Sequence, residues 1–353
     1  MVEKMKAVVI QPNNKIGLED VPKPHILKNE EAIVRVSMAA ICGSDLHAKH
    51  GLLPGVMPGD VIGHEFVGII TEVGSFVTRF KPGDRVTAPP AYWCGICPAC
   101  QRGDIAYCRN GGIYGVGELI SKGYQGAQTS YIRIAYADNC LSAVPDTIPD
   151  EQAVLVPDVL QVGYHAAFEG HIAVGDTVVI FGCGPIGIGA LISAQLFGPK
   201  RVISVDMRDM RLNVARHYGA TVIDARRENV KEKIKDLTDG EGADVAIEAV
   251  GIPEVFLQAL GSVRRFGTVS VVGVFSQPVE LPLQDYAAKA NGVRLSIGLG
   301  HIGRTSKLLG LLESGRLDLS PLVTHTFPLS DAVEAYDLFE NHQDDCMKVL
   351  LKP

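Results

Sequence analysis

Val178 to Gly187 reads V-V-I-F-G-C-G-P-I-G. The β-branched run Val178–Ile180 suits a buried strand, and the residues after Gly187 carry a helical apolar pattern. Gly182, Gly184 and Gly187 thus form G-x-G-x-x-G between a strand and a helix, the context that gives this spacing its meaning. Such glycines permit a tight turn, close approach of backbone to a pyrophosphate, and close helix–strand packing. The helix N-terminus offers N–H groups and the positive end of its dipole to phosphates. Pro185 suits the first helical turn, where its missing N–H costs nothing, and Ile186 completes the loop. A second strand, Arg201–Val205, ends at Asp206. A carboxylate about 20 residues beyond the glycines is placed to accept both adenosine ribose hydroxyls of a dinucleotide and to repel a 2′-phosphate. The reading is therefore NAD rather than NADP, with Arg208 as the nearby cation that a phosphate would want.

The texture around this stretch changes along the chain. From about Val174, strands (Thr177–Phe181, Arg201–Val205, Thr221–Ile223, Asp244–Glu248, Thr268–Val272) alternate with helical patterns such as Met210–Tyr218 and Glu228–Leu237. That alternation implies an α/β unit with a doubly wound parallel sheet. Residues 1–90 instead show short strands (Lys6–Ile10, Ala32–Ala39, Val67–Val73, Arg85–Ala88) separated by Pro-Gly pairs at 54–55, 58–59 and 82–83, which suggests a β-rich, barrel-like unit. After Gly292 the pattern loosens into a short helix-rich tail. The simplest organisation is an α/β unit, 161–292, inserted into a β-rich unit made of 1–160 and 293–353.

Bulk properties narrow the class. The chain has 353 residues, a length that suits two domains. A net charge of −7 argues against a nucleic-acid or anionic-membrane partner, and no apolar run reaches membrane-spanning length. The start, M-V-E-K-M-K-A-V-V-I-Q, lacks the apolar core and cleavage site of a secretory leader. The expected compartment is the cytoplasm, where cysteines stay reduced.

Cys94, Cys97, Cys100 and Cys108 read C-x2-C-x2-C-x7-C within the loop-rich stretch 91–110. Four thiols so close suit one tetrahedral ion, and four-cysteine zinc sites are closed and structural. A reducing compartment disfavours disulfides; an iron–sulfur cluster also takes four thiolates, but spacing and neighbourhood favour zinc. Cys140, Cys183 and Cys346 are scattered and read as small hydrophobes.

A second constellation is dispersed. Cys42 opens C-G-S-D-L-H, Cys42 to His47, and G-H-E-F-V-G-I-I-T-E-V-G follows at Gly63 to Gly74. The latter fits G-H-E-x2-G-x5-G-x2-V through Gly63, His64, Glu65, Gly68, Gly74 and Val77. With the four-cysteine loop and the glycine fingerprint in the same order, the whole chain resembles the zinc-containing alcohol dehydrogenases of the medium-chain dehydrogenase/reductase superfamily.

The resemblance implies a GroES-like catalytic domain and a Rossmann cofactor domain, two zinc ions per chain and a homotetramer. It implies Cys42 and His64 as catalytic zinc ligands, with Glu65 a neighbouring carboxylate able to enter or leave the coordination sphere. The third ligand falls on Asp158 in V-P-D-V-L-Q-V-G-Y-H-A, where the best-known branch has a cysteine. An aspartate here is similar to the branch holding microbial secondary-alcohol and formaldehyde dehydrogenases. Carboxylate, imidazole and thiolate all bind zinc, and three protein ligands leave one position open. Ser44 and His47 look like a hydroxyl-to-imidazole proton relay, and Asp45 reads as a local turn acceptor. Arg211, five positions beyond Asp206, looks like a residue flanking the adenosine, and Lys348 like one reaching the pyrophosphate.

The expected activity is reversible hydride transfer between NAD and a small alcohol or ketone, with Trp93, Ile113, Tyr114, Leu119 and Leu299 as candidate pocket residues. Their mix suggests an apolar secondary alcohol. The alternatives keep the chemistry but change substrate to formaldehyde, a polyol or diol, or threonine. A non-catalytic nucleotide-binding relative would be expected to lack one of Cys42, His64 and Asp158.

Overall fold

The computed structural model describes residues 3–284, 292–299, 302–341 and 343–353. The chain divides into two compact units, Met1–Asp158 with Gly300–Pro353, and Val159–Leu299.

The first unit is β-rich. Strands Lys4–Gln11 and Lys15–Pro22 form an antiparallel ribbon. A seven-stranded sheet runs in the order Val323–Pro328, Lys348–Lys352, Ala32–Ala40, Glu65–Val73, Arg85–Thr87, Ser142–Ala143, with Tyr131–Ile134 also paired to Ala32–Ala40. Its pairings are antiparallel except between the two C-terminal strands. The core beneath it gathers Val34, Ile41, Ile62, Phe66, Val86 and Ile132 with a tyrosine group, Tyr92, Tyr114, Tyr124 and Tyr336. The Tyr92 ring lies 5.1 Å from that of Tyr114 and 4.8 Å from that of Tyr124, within the range for favourable aromatic pairs. The tail contributes two sheet strands besides helices Thr305–Glu313 and Ala332–Glu340. Long-range pairing places those strands: Lys348–Lys352 pairs with Ala32–Ala40, and Val323–Pro328 with Lys348–Lys352.

The second unit is α/β. Six parallel strands lie in the order Thr221–Asp224, Arg201–Asp206, Thr177–Phe181, Ala243–Glu248, Val263–Val271, Arg294–Ile297. The order reverses beside Thr177–Phe181, the switch point at which doubly wound sheets bind ligands. Thr177–Phe181 is buried at every residue, as a central parallel strand with both faces covered must be. The unit extends to Leu299 rather than closing at 292, because Arg294–Ile297 pairs with Val263–Val271 as the sixth strand. That edge strand is short and largely exposed, so it lacks the apolar run that marks its neighbours. Among the described residues, no helix is long and apolar enough to cross a membrane.

Candidate active site

Cys42 sits at the end of a central strand and caps the helix Gly43–Lys49. Asp45, at the third helical position, returns its carboxylate Oδ2 to accept the Cys42 N–H at 2.9 Å, half of the reciprocal pattern that fixes a helix start. His64 and Glu65 lie at the beginning of strand Glu65–Val73. Asp158 projects from a single wide turn of π type, Val156–Leu160, a distortion frequent at functional sites.

These elements bring Cys42, His64, Glu65 and Asp158 together, with one ligand atom of each within 4.8 Å of all the others. Cys42 Sγ is 3.7 Å and His64 Nε2 3.8 Å from Asp158 Oδ2. A tetrahedral ion with bonds of 2.0–2.3 Å needs donor atoms about 3.3–3.8 Å apart, so the donor set fits zinc. Charge says the same. Burial pushes the Cys42 thiol up, and the Asp158 carboxylate pushes it further. Burial alone would lower the His64 imidazole, but Cys42, Asp45 and Asp158 pull it up to about 10. The same acidic neighbours that raise His64 would favour a bound cation.

Glu65 is fully buried, and burial pushes it up to about 7 against the pull of Lys348. Its Oε1 accepts from Lys348 Nζ at 2.5 Å, while Oε2 has no hydrogen-bond partner among the described residues. Lys348 is 1% exposed, so the ammonium expected beside the pyrophosphate is committed to Glu65 instead. Position in the sheet explains this, since strand Lys348–Lys352 pairs with Ala32–Ala40, which also pairs with the strand that Glu65 opens.

Ser44 Oγ lies 3.5 Å from His64 Nε2. His47 is half-buried on the same helix, and its imidazole is held below the ordinary value by burial and by His50. The structure gives no direct hydrogen bond between Ser44 and His47. Asp45 does more than hold a turn: it is 1% exposed, and its Oδ1 lies 3.7 Å from His64 Nδ1.

In the loop, Cys94, Cys97, Cys100 and Cys108 also form one cluster within 4.8 Å. The Sγ–Sγ separations of 3.5, 3.6 and 3.8 Å match the roughly 3.8 Å edge of a zinc–thiolate tetrahedron with 2.3 Å bonds. Backbone N–H groups of Cys100 and Arg109 bring Cys97 down to about 6, whereas burial pushes Cys100 up to about 12. The backbone thus favours thiolate in a cluster of like charges, which is what a metal requires. Cys140, Cys183 and Cys346 are buried, away from both donor clusters.

In the second unit, Gly182 has φ 93°, a conformation that side chains rarely adopt. A Cβ on Gly187 would lie 1.8 Å from the Gly182 carbonyl oxygen. Gly184 caps the helix Pro185–Gln195 with Pro185 in its first turn and no side chain capping it. A Cβ on Gly184 would meet only Arg211, at 3.8 Å, so the loop presents an open cradle with a cation at its edge. Ile186 is half-buried beside it. Asp206 ends its strand with the carboxylate turned to the loop: Oδ2 accepts from Cys183 N at 2.7 Å, and Oδ1 from Met207 N and Arg208 N at 2.7 and 2.9 Å. These features fit a dinucleotide.

Of the candidate pocket residues, Tyr114 is fully buried and accepts the Ala135 N–H, so it is core. Ile113, Leu119 and Leu299 are exposed, and Trp93 is half-buried.

The fold and its donor sets define a zinc-type dehydrogenase. Residues 28–146 match the alcohol dehydrogenase GroES-like domain and 185–314 the zinc-binding dehydrogenase family. The chain is 38% identical, over its full length and that of the relative, to an alcohol dehydrogenase of Cupriavidus necator. It is 35% identical, over 99% of its own length and all of the relative's, to an uncharacterized zinc-type alcohol dehydrogenase-like protein of Bacillus subtilis. The solved alcohol dehydrogenase TADH of Thermus sp. ATN1 superposes with a TM-score of 0.93 at 36% identity, covering 99% of both chains. The chain belongs to the zinc-dependent alcohol dehydrogenases of the medium-chain superfamily. It is an oxidoreductase acting on alcohols.

Proposed function

We propose that this alcohol dehydrogenase oxidises a small secondary alcohol with NAD, reversibly, using one catalytic and one structural zinc per chain. The observation that carries the reading is the donor set of half-buried Cys42 with buried His64 and Asp158, spaced for one ion. Those three residues would hold a zinc ion, which would supply a Lewis acid to acidify an alcohol hydroxyl, and the glycine loop would hold the dinucleotide that supplies the hydride acceptor. The chain's own residues do the rest. Lys348 holds Glu65 by Oε1, which keeps that carboxylate in reserve and leaves three protein ligands with a position for substrate. Ser44 accepts the hydroxyl proton as it gives up its own, and that proton leaves by way of His47; a depressed His47 keeps the neutral, accepting form at lower pH. Cys94, Cys97, Cys100 and Cys108 hold the structural ion.

The nucleotide reading rests on Gly182, Gly184, Pro185, Ile186 and Gly187 for the pyrophosphate, with Asp206 for the ribose and Arg211 beside the adenosine. Asp206 supports NAD over NADP by charge. A homotetramer in the cytoplasm completes the proposal. The test is the initial rate of NADH formation with 2-butanol, 1-butanol and formaldehyde. Preference for 2-butanol is expected; activity confined to formaldehyde would move the substrate while keeping the chemistry.

A further inference from the structure

Besides Glu65 Oε2, two buried polar atoms at the candidate zinc site have no hydrogen-bond partner among the described residues: Asp45 Oδ1 and His64 Nδ1. They lie 3.7 Å apart. The other oxygen of Asp45 is saturated, because Oδ2 accepts from Cys42 N and from Gln128 Nε2, each at 2.9 Å. Gln128 is fully buried, and both its amide nitrogen and its oxygen are hydrogen-bonded. Its Nε2 also donates to the Ala40 carbonyl at 3.2 Å, and its Oε1 accepts from the Tyr336 hydroxyl at 2.8 Å. Donor and acceptor chemistry fixes this orientation. A carboxylate only accepts, so the amide must present nitrogen to Asp45 and oxygen to Tyr336.

A carboxylate with one saturated and one open oxygen orients a neighbour only if it cannot rotate. The Cys42 N–H alone leaves Asp45 free to swap oxygens; a second donor on Oδ2, anchored to a strand carbonyl and a buried tyrosine, removes that freedom. Burying an amide is costly unless every group is paired, and here every group is.

We propose that Gln128, held by Tyr336, is a positioning residue for His64. It pins Asp45 so that Oδ1 keeps the proton on His64 Nδ1 and leaves Nε2 as the metal donor. Outer partners of this kind fix a histidine's tautomer and ring orientation. The inference rests on His64 being a zinc ligand, as proposed above.

The experiment follows zinc release from the purified holoenzyme to a chelating dye, where the four-cysteine site serves as internal control. Gln128→Leu is expected to speed release of one zinc class by about tenfold, the low end for an outer partner, with the other class unchanged. Cobalt substituted at the faster site should show an altered ligand-field spectrum. Tyr336→Phe, which keeps the ring, should give a smaller acceleration, and the double variant no more than Gln128→Leu alone. Wild-type release rates and an unchanged cobalt spectrum in Gln128→Leu would overturn the proposal. So would equal acceleration of both classes with a lowered unfolding midpoint, which marks a general role in the fold. Should Gln128→Leu not fold, a wild-type release rate in Tyr336→Phe overturns it. Cys42→Ser distinguishes failure of the underlying reading: retention of both zinc ions there would mean that His64 is not in a zinc site.

Discussion

Asp206→Gly separates two tasks that fall on one carboxylate. In the structure Asp206 accepts three backbone N–H groups, and only that of Cys183 belongs to a fully buried residue. Water can replace the acceptor for Met207 and Arg208, which are exposed. Orphaning the Cys183 N–H costs about 1–3 kcal/mol, and glycine in the strand adds about 0.5–1 kcal/mol. For a unit the size of Val159–Leu299, that lowers the melting temperature by about 5–15 °C. The cofactor effect is separate. Losing charge-assisted hydrogen bonds to ribose costs about 1.5–3 kcal/mol, or roughly 10–150-fold in KM for NAD, while NADP should be better tolerated. Asp206→Asn is the control, since its amide oxygen can still accept from Cys183. It should melt near wild type yet discriminate less against NADP. Thermal unfolding and steady-state KM for both dinucleotides decide the matter. A lowered melting temperature with an unchanged NAD-to-NADP ratio would refute the ribose assignment and leave Asp206 as a loop acceptor.

Other outcomes follow from the same geometry. Cys97→Ser should cost more than about 3 kcal/mol of stability through loss of a structural metal, measured by denaturant unfolding; a wild-type midpoint would remove the structural role. Lys348→Met strands the buried Glu65 carboxylate and should cost about 3 kcal/mol with little change in KM for NAD. A raised KM at unchanged stability would return Lys348 to the pyrophosphate. His47 is depressed by burial and by His50, so its accepting form persists as pH falls below the ordinary imidazole range. His47→Ala should therefore slow alcohol oxidation most at pH 6–7, on the order of 10²-fold, and less at pH 9, where hydroxide takes the proton. A pH–rate profile unchanged from wild type would remove the relay.

Much of this was legible because the chemistry demands particular residues at particular spacings. The fingerprint Gly182–Gly187 and the strand ending at Asp206 announce the parallel unit, since such a strand is a continuous apolar run. The four-cysteine loop is local and carries its own geometry. Cys42, His64 and Asp158 were readable only through resemblance, because no spacing rule joins residues so far apart. Asp45 was legible as a local acceptor, and it does accept the Cys42 N–H, but its approach to His64 needs the fold. Lys348 misled because a lysine's partner depends on which strands the sheet brings together. Gln128 and Tyr336 carry no motif at all. They meet Asp45 and each other across sequence separations of 83 and 208 residues.

The central claim is that zinc is held by Cys42, His64 and Asp158 beside a separate structural site. The direct test is zinc content by atomic emission in the purified wild-type chain, in Asp158→Ala and in Cys97→Ser. Two equivalents in wild type, with one lost in Asp158→Ala together with turnover, is the predicted result. Two equivalents and full turnover in Asp158→Ala would contradict the ligand set, and a wild-type chain active without zinc would contradict the mechanism.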